Sequence, residues 1–222
     1  MIEEEILKTV DVYKSRKINT AKLRSVARSF KKRLLGMSED ERHRLALSLY
    51  KNKQDGTDLF ATYIVNLGIN EVTPDRFQIL DLYTDNFTGW GVTDDFCLNV
   101  IQPLLLKYHQ EVLSLLRKWN KSENPWKRRA SVVAFVRKIG ESGKFTEDCL
   151  ELCGNLLNDP ERLVKQGVGW ALKDTLRGDK ERIIKYIIDL RKLGVSSTIT
   201  LYAIRDLKGK ERLEVLKYPL RH

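Results

Sequence analysis

Thr57-Asp-Leu-Phe-Ala-Thr-Tyr-Ile-Val-Asn-Leu-Gly68 is the segment that decides the fold class. Its apolar side chains recur every three or four residues, which is the spacing of one face of an α-helix. These side chains are Leu59, Phe60, Tyr63, Ile64 and Leu67. A second stripe with the same spacing consists of Leu23, Val26, Ala27, Phe30 and Leu34. No segment keeps a period of two, so the sequence predicts an all-α fold.

The same periodicity continues along the chain and predicts a succession of amphipathic helices. They lie near residues 39–51, 74–84, 88–108, 109–119, 125–139, 145–157, 160–177, 179–193 and 196–208. Ser38 and Glu41 have the spacing of a capping box at one helix start. Glycine, proline and asparagine separate the helices, and such short connections favour antiparallel neighbours.

The hairpins formed in this way recur about every 35–40 residues, which is typical of HEAT-like helical repeats. Units of this kind bury a core by stacking on one another. The sequence therefore predicts one continuous domain over residues 1–222, a HEAT-like solenoid or α-α superhelix.

The charge balance indicates a polyanionic partner. Forty Lys and Arg residues against thirty Asp and Glu residues give a formal net charge of +10. Such a field attracts nucleic acid or an anionic membrane surface, although a solvated, ion-paired surface has the same composition. No helix combines a basic face with a large uncovered apolar face, so membrane attachment is not expected.

The sequence lacks the signals of secretion, membrane insertion and metal binding. The N-terminus is acidic, and the apolar run 98–106 is interrupted by Asn99, Gln102 and Pro103. Three cysteines suit a reducing compartment, so we expect a cytoplasmic, nucleoid-associated protein. Neither the cysteines nor His43, His109 and His222 have the spacing of metal ligands, and no phosphate-binding loop occurs; we expect no metal and no cofactor.

Three short segments combine tryptophan with charge or glycine in positions unusual for a helical core. They are Gly89-Trp-Gly-Val-Thr-Asp-Asp95, Asn124-Pro-Trp-Lys-Arg-Arg-Ala130 and Val164-Lys-Gln-Gly-Val-Gly-Trp-Ala171. Trp90 and Asp94 are four residues apart and share a helix face. Arg129 falls on the stripe of Trp126, and the glycines before Trp170 leave its indole little covered.

In their order and separation these segments resemble the AlkD-type DNA alkylation repair proteins, a family with a HEAT-like fold. The resemblance runs from about Ala21 to Leu207. It implies that Asp94 is the catalytic carboxylate, that Trp90 and Trp170 contact the deoxyribose of the lesion, and that Arg129 binds a backbone phosphate. Gly91 departs from a firmly helical motif, so either a helix begins there or the turn is irregular.

The chemistry of this residue set agrees with the resemblance. An N3- or N7-alkylated purine is cationic and leaves without a general acid, and a fixed carboxylate stabilises the resulting oxocarbenium-like sugar. Indole faces favour the same developing positive charge. We expect a monofunctional DNA glycosylase that hydrolyses the N-glycosidic bond of alkylated purines without an obvious base-flipping pocket.

Further cations are expected to contact phosphates along a concave basic face without reading the base sequence. They are Lys127, Arg128, Lys165, Lys173, Arg205 and Lys208. The expected partner is double-stranded DNA that carries alkylated purines, bound by a monomer. Two alternatives stay open: a non-catalytic binder of DNA structures in the same family, and a helical-repeat scaffold for an acidic protein.

Single helical tryptophans are usually packing residues, and this interpretation is kept for Trp126. Tyr83, Phe87 and Phe96 are expected in the core, and Asp95 is expected to face solvent rather than the reaction. Asp94 itself has a second interpretation as a capping carboxylate or as one in a salt bridge, with Arg129 as a candidate partner.

Overall fold

The computed structural model describes residues 1–17 and 19–218, and all regular secondary structure in these ranges is helical. The predicted all-α fold is confirmed. His222 lies outside the described residues. The chain divides into two compact units, Met1–His109 and a second unit that begins at Gln110. No helix in the described ranges has the length and apolarity needed to cross a bilayer.

The first unit contains eight α-helices among its described residues. They are α1 (Ile2–Ser15), α2 (Thr20–Ser29), α3 (Lys31–Leu35), α4 (Glu39–Asn52), α5 (Thr57–Leu67), α6 (Gln78–Thr84), α7 (Trp90–Phe96) and α8 (Gln102–Lys107). Two 3₁₀ turns, Ile69–Glu71 and Pro74–Arg76, connect α5 to α6. Ser38 and Glu41 form the predicted capping box at the start of α4.

Helix α5 is the centre of the first unit because α1, α2, α3, α4 and α7 all pack against it. Its apolar stripe is buried, with Phe60 and Ile64 almost completely enclosed. Tyr83, Phe87 and Phe96 are buried nearby, as predicted, and their rings contact one another or Tyr50. The stripe that indicated the fold class is therefore also the packing centre.

A π-helical segment, Cys97–Ile101, joins α7 to α8. Pro103 has no N–H group and cannot donate the helical hydrogen bond to the carbonyl of Asn99. The Asn66 side chain donates to that carbonyl instead, with an N–O distance of 2.6 Å. The predicted helix 88–108 is thus interrupted at a point where proline removes a donor.

The second unit is built around a long helix and its shorter neighbours. Its helices are α9 (His109–Asn120, which begins at the unit boundary), α10 (Pro125–Val133), α11 (Lys138–Glu141), α12 (Thr146–Asn155), α13 (Arg162–Gly178), α14 (Lys180–Lys192), α15 (Ser197–Ala203) and α16 (Gly209–Leu216).

Helix α13 packs against α10, α11, α12, α14 and α15, so it is the counterpart of α5 in the second unit. Glycine permits the closest of these contacts. A Cβ atom on Gly169 would lie 2.7 Å from Cβ of Tyr202 in α15. A Cβ atom on Gly140 would lie 2.8 Å from the backbone nitrogen of Thr175 in α13.

Two further helix predictions need correction. The helix predicted over 125–139 ends at Val133 and resumes at Lys138, after Arg137 adopts a positive φ of 56°. The helix predicted over 196–208 ends at Ala203. Helix α1 was not predicted at all, although it buries Ile6 and Val10 in the first unit.

Candidate functional site

In the first unit, Trp90 and Asp94 lie on the short helix α7. The helix begins at Trp90, directly after Gly89, which accounts for Gly91 in the motif: it lies in the first turn. The Thr93 hydroxyl donates to the Gly89 carbonyl at 2.8 Å and secures that turn. Trp90 is 58% exposed, whereas Asp94 is 7% exposed. One face of α7 therefore presents an indole at the surface next to a mostly buried carboxylate.

Asp95 has its charge matched within the first unit. Its Oδ1 accepts from Arg24 Nη2 at 2.6 Å and from Asn99 Nδ2 at 2.9 Å. Burial raises the pKa of the Asp95 carboxyl above its ordinary value, against the lowering effect of Arg24. The prediction placed Asp95 towards solvent; the structure gives it a half-buried ion pair.

A cavity of about 630 Å³ opens beside Trp90 and is lined by α1, α2, α5 and α7. Lys14 and Arg24 are exposed at its surface, while Asp58 and Asp95 are partly buried in its lining. Asp58 accepts from the backbone N–H groups of Gly56 and Leu59 at the start of α5. Asp94 is not among the described residues that line the cavity, so the predicted catalytic carboxylate lies outside it.

In the second unit, Arg129 lies against the glycine that precedes Trp170 by one helical turn. A Cβ atom on Gly167 would be 3.4 Å from both Cγ and Nη1 of Arg129. Arg129 is 5% exposed, and its Nη1 donates to the carbonyl of Leu163 in the first turn of α13. Arg129 is therefore one of the buried residues of α10.

Trp170 is half-buried on α13, and its ring contacts Arg137, a residue that the sequence analysis did not identify. The guanidinium carbon of Arg137 lies 5.9 Å from the centroid of the indole ring. The backbone N–H of Arg137 donates to Oδ2 of Asp174, one turn after Trp170, at 2.6 Å. Helix α13 therefore holds both the side chain and the backbone of Arg137.

The spacing of Trp170 and Asp174 repeats that of Trp90 and Asp94. Gly169-Trp170 and Gly89-Trp90 each precede an aspartate by the same interval, so this signal was available in the sequence. The side chain of Asp174 is only 2% exposed, and Lys173 Nζ lies 3.0 Å from its Oδ1. Asp174 is thus a buried, ion-paired carboxylate that fixes local backbone.

Arg128 and Lys173, both predicted to bind phosphate, are engaged in ion pairs. Arg128 Nε donates to Oδ2 of Asp159 at 2.5 Å, and its Nη1 donates to the carbonyls of Ser122 and Glu123. Lys173 pairs with Asp174 and, at 3.5 Å, with Asp206. Their charges are largely compensated inside the unit.

The remaining four differ in exposure. Lys127 is buried at the start of α10, and Lys165 is half-buried on α13. Arg205 and Lys208 are exposed after α15, and the Arg205 guanidinium lies 5.1 Å from the Tyr202 ring centroid. Tyr202 in turn packs on Gly169, so a second arginine–aromatic pair stands next to the Trp170 segment.

The other two tryptophans differ in burial. Trp119 is completely buried in α9. Trp126 is half-buried at the start of α10, where its backbone N–H donates to the side chain of Asn124 at 2.9 Å. The interpretation of Trp126 as a packing residue stays a prediction.

These features define a class: a basic, all-α protein in which exposed indole and guanidinium groups lie near buried carboxylates. The chain belongs to the DNA alkylation repair enzyme family, whose model matches residues 11–207. No curated protein matches the chain with significant similarity. The family assignment gives the chain a role in DNA alkylation repair, with DNA as its substrate.

Proposed function

We propose that this protein is a monofunctional DNA glycosylase that releases N3- and N7-alkylated purines from duplex DNA. The observation that carries the proposal is the pairing on α7 of an exposed indole, Trp90, with a mostly buried carboxylate, Asp94. The family assignment supports it through the repair role.

Asp94 is proposed as the catalytic residue. When the cationic purine leaves, both electrons of the glycosidic bond go with the base, and the deoxyribose becomes oxocarbenium-like. A carboxylate interacts with such a charge most strongly where little water competes, and Asp94 retains little exposure. The same carboxylate can orient the water molecule that attacks the sugar and then accept its proton.

Trp90 and Trp170 are proposed to contact the deoxyribose, and Arg129 to bind a phosphate. Indole faces stabilise positive charge, and a guanidinium grips phosphate through two parallel hydrogen bonds. Arg129 is held by Gly167 and Leu163, so it enters such a contact with little loss of side-chain freedom. Lys127, Lys165, Arg205 and Lys208 are proposed as supporting phosphate contacts.

The test is release of 7-methylguanine from methylated duplex DNA by the native protein and by Asp94→Asn. We expect the substitution to lower the rate of base release at least about a hundredfold, because it removes a fixed electrostatic group. The affinity for duplex DNA should stay within about twofold of the native value. Asp95→Asn is the matched control because it makes the same chemical change one residue away. We expect it to retain base release.

Equal rates for Asp94→Asn and the native protein would remove Asp94 from its role. A native protein that binds duplex DNA without releasing any base would instead be the non-catalytic family member considered from the sequence. A native protein with no affinity for duplex DNA at moderate salt would leave the protein-scaffold alternative.

A further inference from the structure

Arg137 occupies a backbone conformation that suits glycine. Its φ of 56° and ψ of −134° are the mirror image of extended backbone, where a Cβ atom is crowded. Among the described residues, Lys17 and Lys53 are the other non-glycine residues with positive φ, and Lys53 has an ordinary left-handed ψ of 14°. Non-glycine residues in strained backbone conformations cluster at functional sites, so the side chain of Arg137 is a candidate for a function.

The surrounding structure is built to keep this conformation. Asp174 accepts the Arg137 N–H at 2.6 Å, and Lys173 balances the charge of this buried carboxylate. Gly140 lets α11 approach the backbone of Asp174 and Thr175 so closely that a Cβ atom would collide with it. The turn between α10 and α11 is thereby fixed on α13.

The fixed turn presents the Arg137 side chain at the surface with its charge available. The residue is exposed, and its guanidinium lies over the Trp170 ring. Within residues 1–17 and 19–218, no carboxylate pairs with this guanidinium. Arg177, in contrast, is paired with Glu141 and Asp206.

We propose that Arg137 and Trp170 together form a binding site for one nucleotide unit of the DNA backbone, with the guanidinium on the phosphate and the indole on its deoxyribose. A guanidinium that lies over an aromatic ring keeps its edge N–H groups free for two hydrogen bonds to phosphate. The inference rests on the proposed contact of Trp170 with deoxyribose and adds a phosphate-binding residue to it.

Substitution of Arg137 by glycine distinguishes a role in phosphate binding from a purely structural role. Arg137→Gly removes the side chain and the backbone strain together, whereas Arg137→Ala removes the side chain and keeps the strain. Lys138→Ala is the matched control, because it deletes an exposed cation from the adjacent residue. Binding to unmodified duplex DNA is measured between about 50 and 200 mM salt, and thermal unfolding is followed for each variant.

We expect Arg137→Gly to raise the Tm by about 2–4 °C relative to Arg137→Ala. Both variants should bind duplex DNA about five- to tenfold more weakly, and the slope of log affinity against log salt should fall by about 0.9. Lys138→Ala should keep its affinity within about twofold of the native value.

Duplex affinity and salt slope that stay native in Arg137→Gly would overturn this inference alone, provided that the native protein binds DNA and releases base. A loss of affinity equal to that of Lys138→Ala would also overturn it, because the effect would then be one of net charge. A native protein that does not bind duplex DNA would overturn the proposed function as well.

Discussion

Two aspartates of this chain, Asp94 and Asp174, follow a tryptophan by four residues, and their known surroundings differ. Asp174 receives a backbone N–H from Arg137 and the ammonium group of Lys173, so its charge is used to hold a turn. Asp94 lies on a short surface helix beside an indole that is mostly exposed. The same spacing therefore serves structure in one unit and, in our proposal, catalysis in the other.

Arg129→Ala should weaken duplex binding and lower the slope of log affinity against log salt concentration by about one. It should also reduce the Tm, because Arg129 is buried against Gly167 and its hydrogen bond to Leu163 is lost. Binding titrations at several salt concentrations measure the first effect, and thermal melting measures the second.

Arg182→Ala is the control for this prediction. It removes an equal charge from an exposed ion pair with Glu147 on the same unit. Such pairs contribute little to stability, so its Tm should stay near the native value. A salt slope that falls equally in Arg182→Ala and Arg129→Ala would contradict a specific phosphate contact by Arg129.

Among the elements, α13 combines close packing with the candidate site. Gly169 lets α15 approach α13 closely. The ring of the adjacent Trp170 lies under the guanidinium of Arg137. Tyr202 of α15 packs against Gly169, and the guanidinium of Arg205 lies over the Tyr202 ring. The packing of α13 against α15 therefore also positions a second exposed guanidinium. The interface between α13 and α15 thus affects both stability and charge placement.

Gly169→Ala should destabilise the protein by about 1–3 kcal/mol, because its Cβ would lie 2.7 Å from Cβ of Tyr202 and 3.0 Å from the Ile199 carbonyl oxygen. Denaturant titration gives the free energy of unfolding. Gly154→Ala on α12 is the control, since its Cβ would have an ordinary 3.6 Å contact with Tyr186. That substitution should be neutral or stabilising by up to about 1 kcal/mol; equal losses at both positions would refute the close-packing argument.

The elements also show where sequence reasoning reaches its limit. The stripe on α5 and the Ser38–Glu41 capping box were predicted correctly, because periodicity and capping are local properties. The break between α10 and α11 was not, since Arg137 takes its conformation from Asp174, thirty-seven positions further along. Tertiary contacts outweighed local helix propensity at this point. Because the sequence predicted a continuous helix, it gave no sign of the unusual backbone conformation of Arg137.

Across the whole molecule, the described residues form two units, each with a central helix, α5 or α13. Hydrophobic periodicity predicted these helices but carries no information on which of them becomes a packing centre. The single HEAT-like domain over residues 1–222 stays a prediction. The roles of Trp90, Asp94, Arg129 and Trp170 came from the resemblance, and the structure adds the surroundings of each side chain.

Acid should destabilise the chain through His43. Burial lowers the pKa of this imidazole, with Glu39 opposing the shift. The unfolded chain then binds a proton at higher pH than the folded chain, so stability present above about pH 6.5 is lost as the pH falls towards the lowered pKa. Burial raises the pKa values of Asp58 and Asp95 above 3.8, so their contribution to stability changes in the opposite direction as the pH falls.

The Tm should therefore fall between about pH 7.5 and about pH 5.5, and His43→Gln should reduce that fall. Glutamine can retain a hydrogen bond to the Tyr83 hydroxyl, which contacts Nδ1 of His43 in the native protein. Thermal melts of both proteins at each pH provide the comparison. An identical pH dependence would exclude His43 as its source.

The conformation of Arg137 has a consequence for how this protein would respond to directed evolution. A selection for heat resistance alone would reward glycine at this position, since glycine adopts its backbone angles without crowding. If Arg137 binds a DNA phosphate as we propose, a selection for survival of cells exposed to methylating agents would retain arginine despite its cost. The two selections would therefore favour different residues at position 137, glycine under heat and arginine under DNA damage.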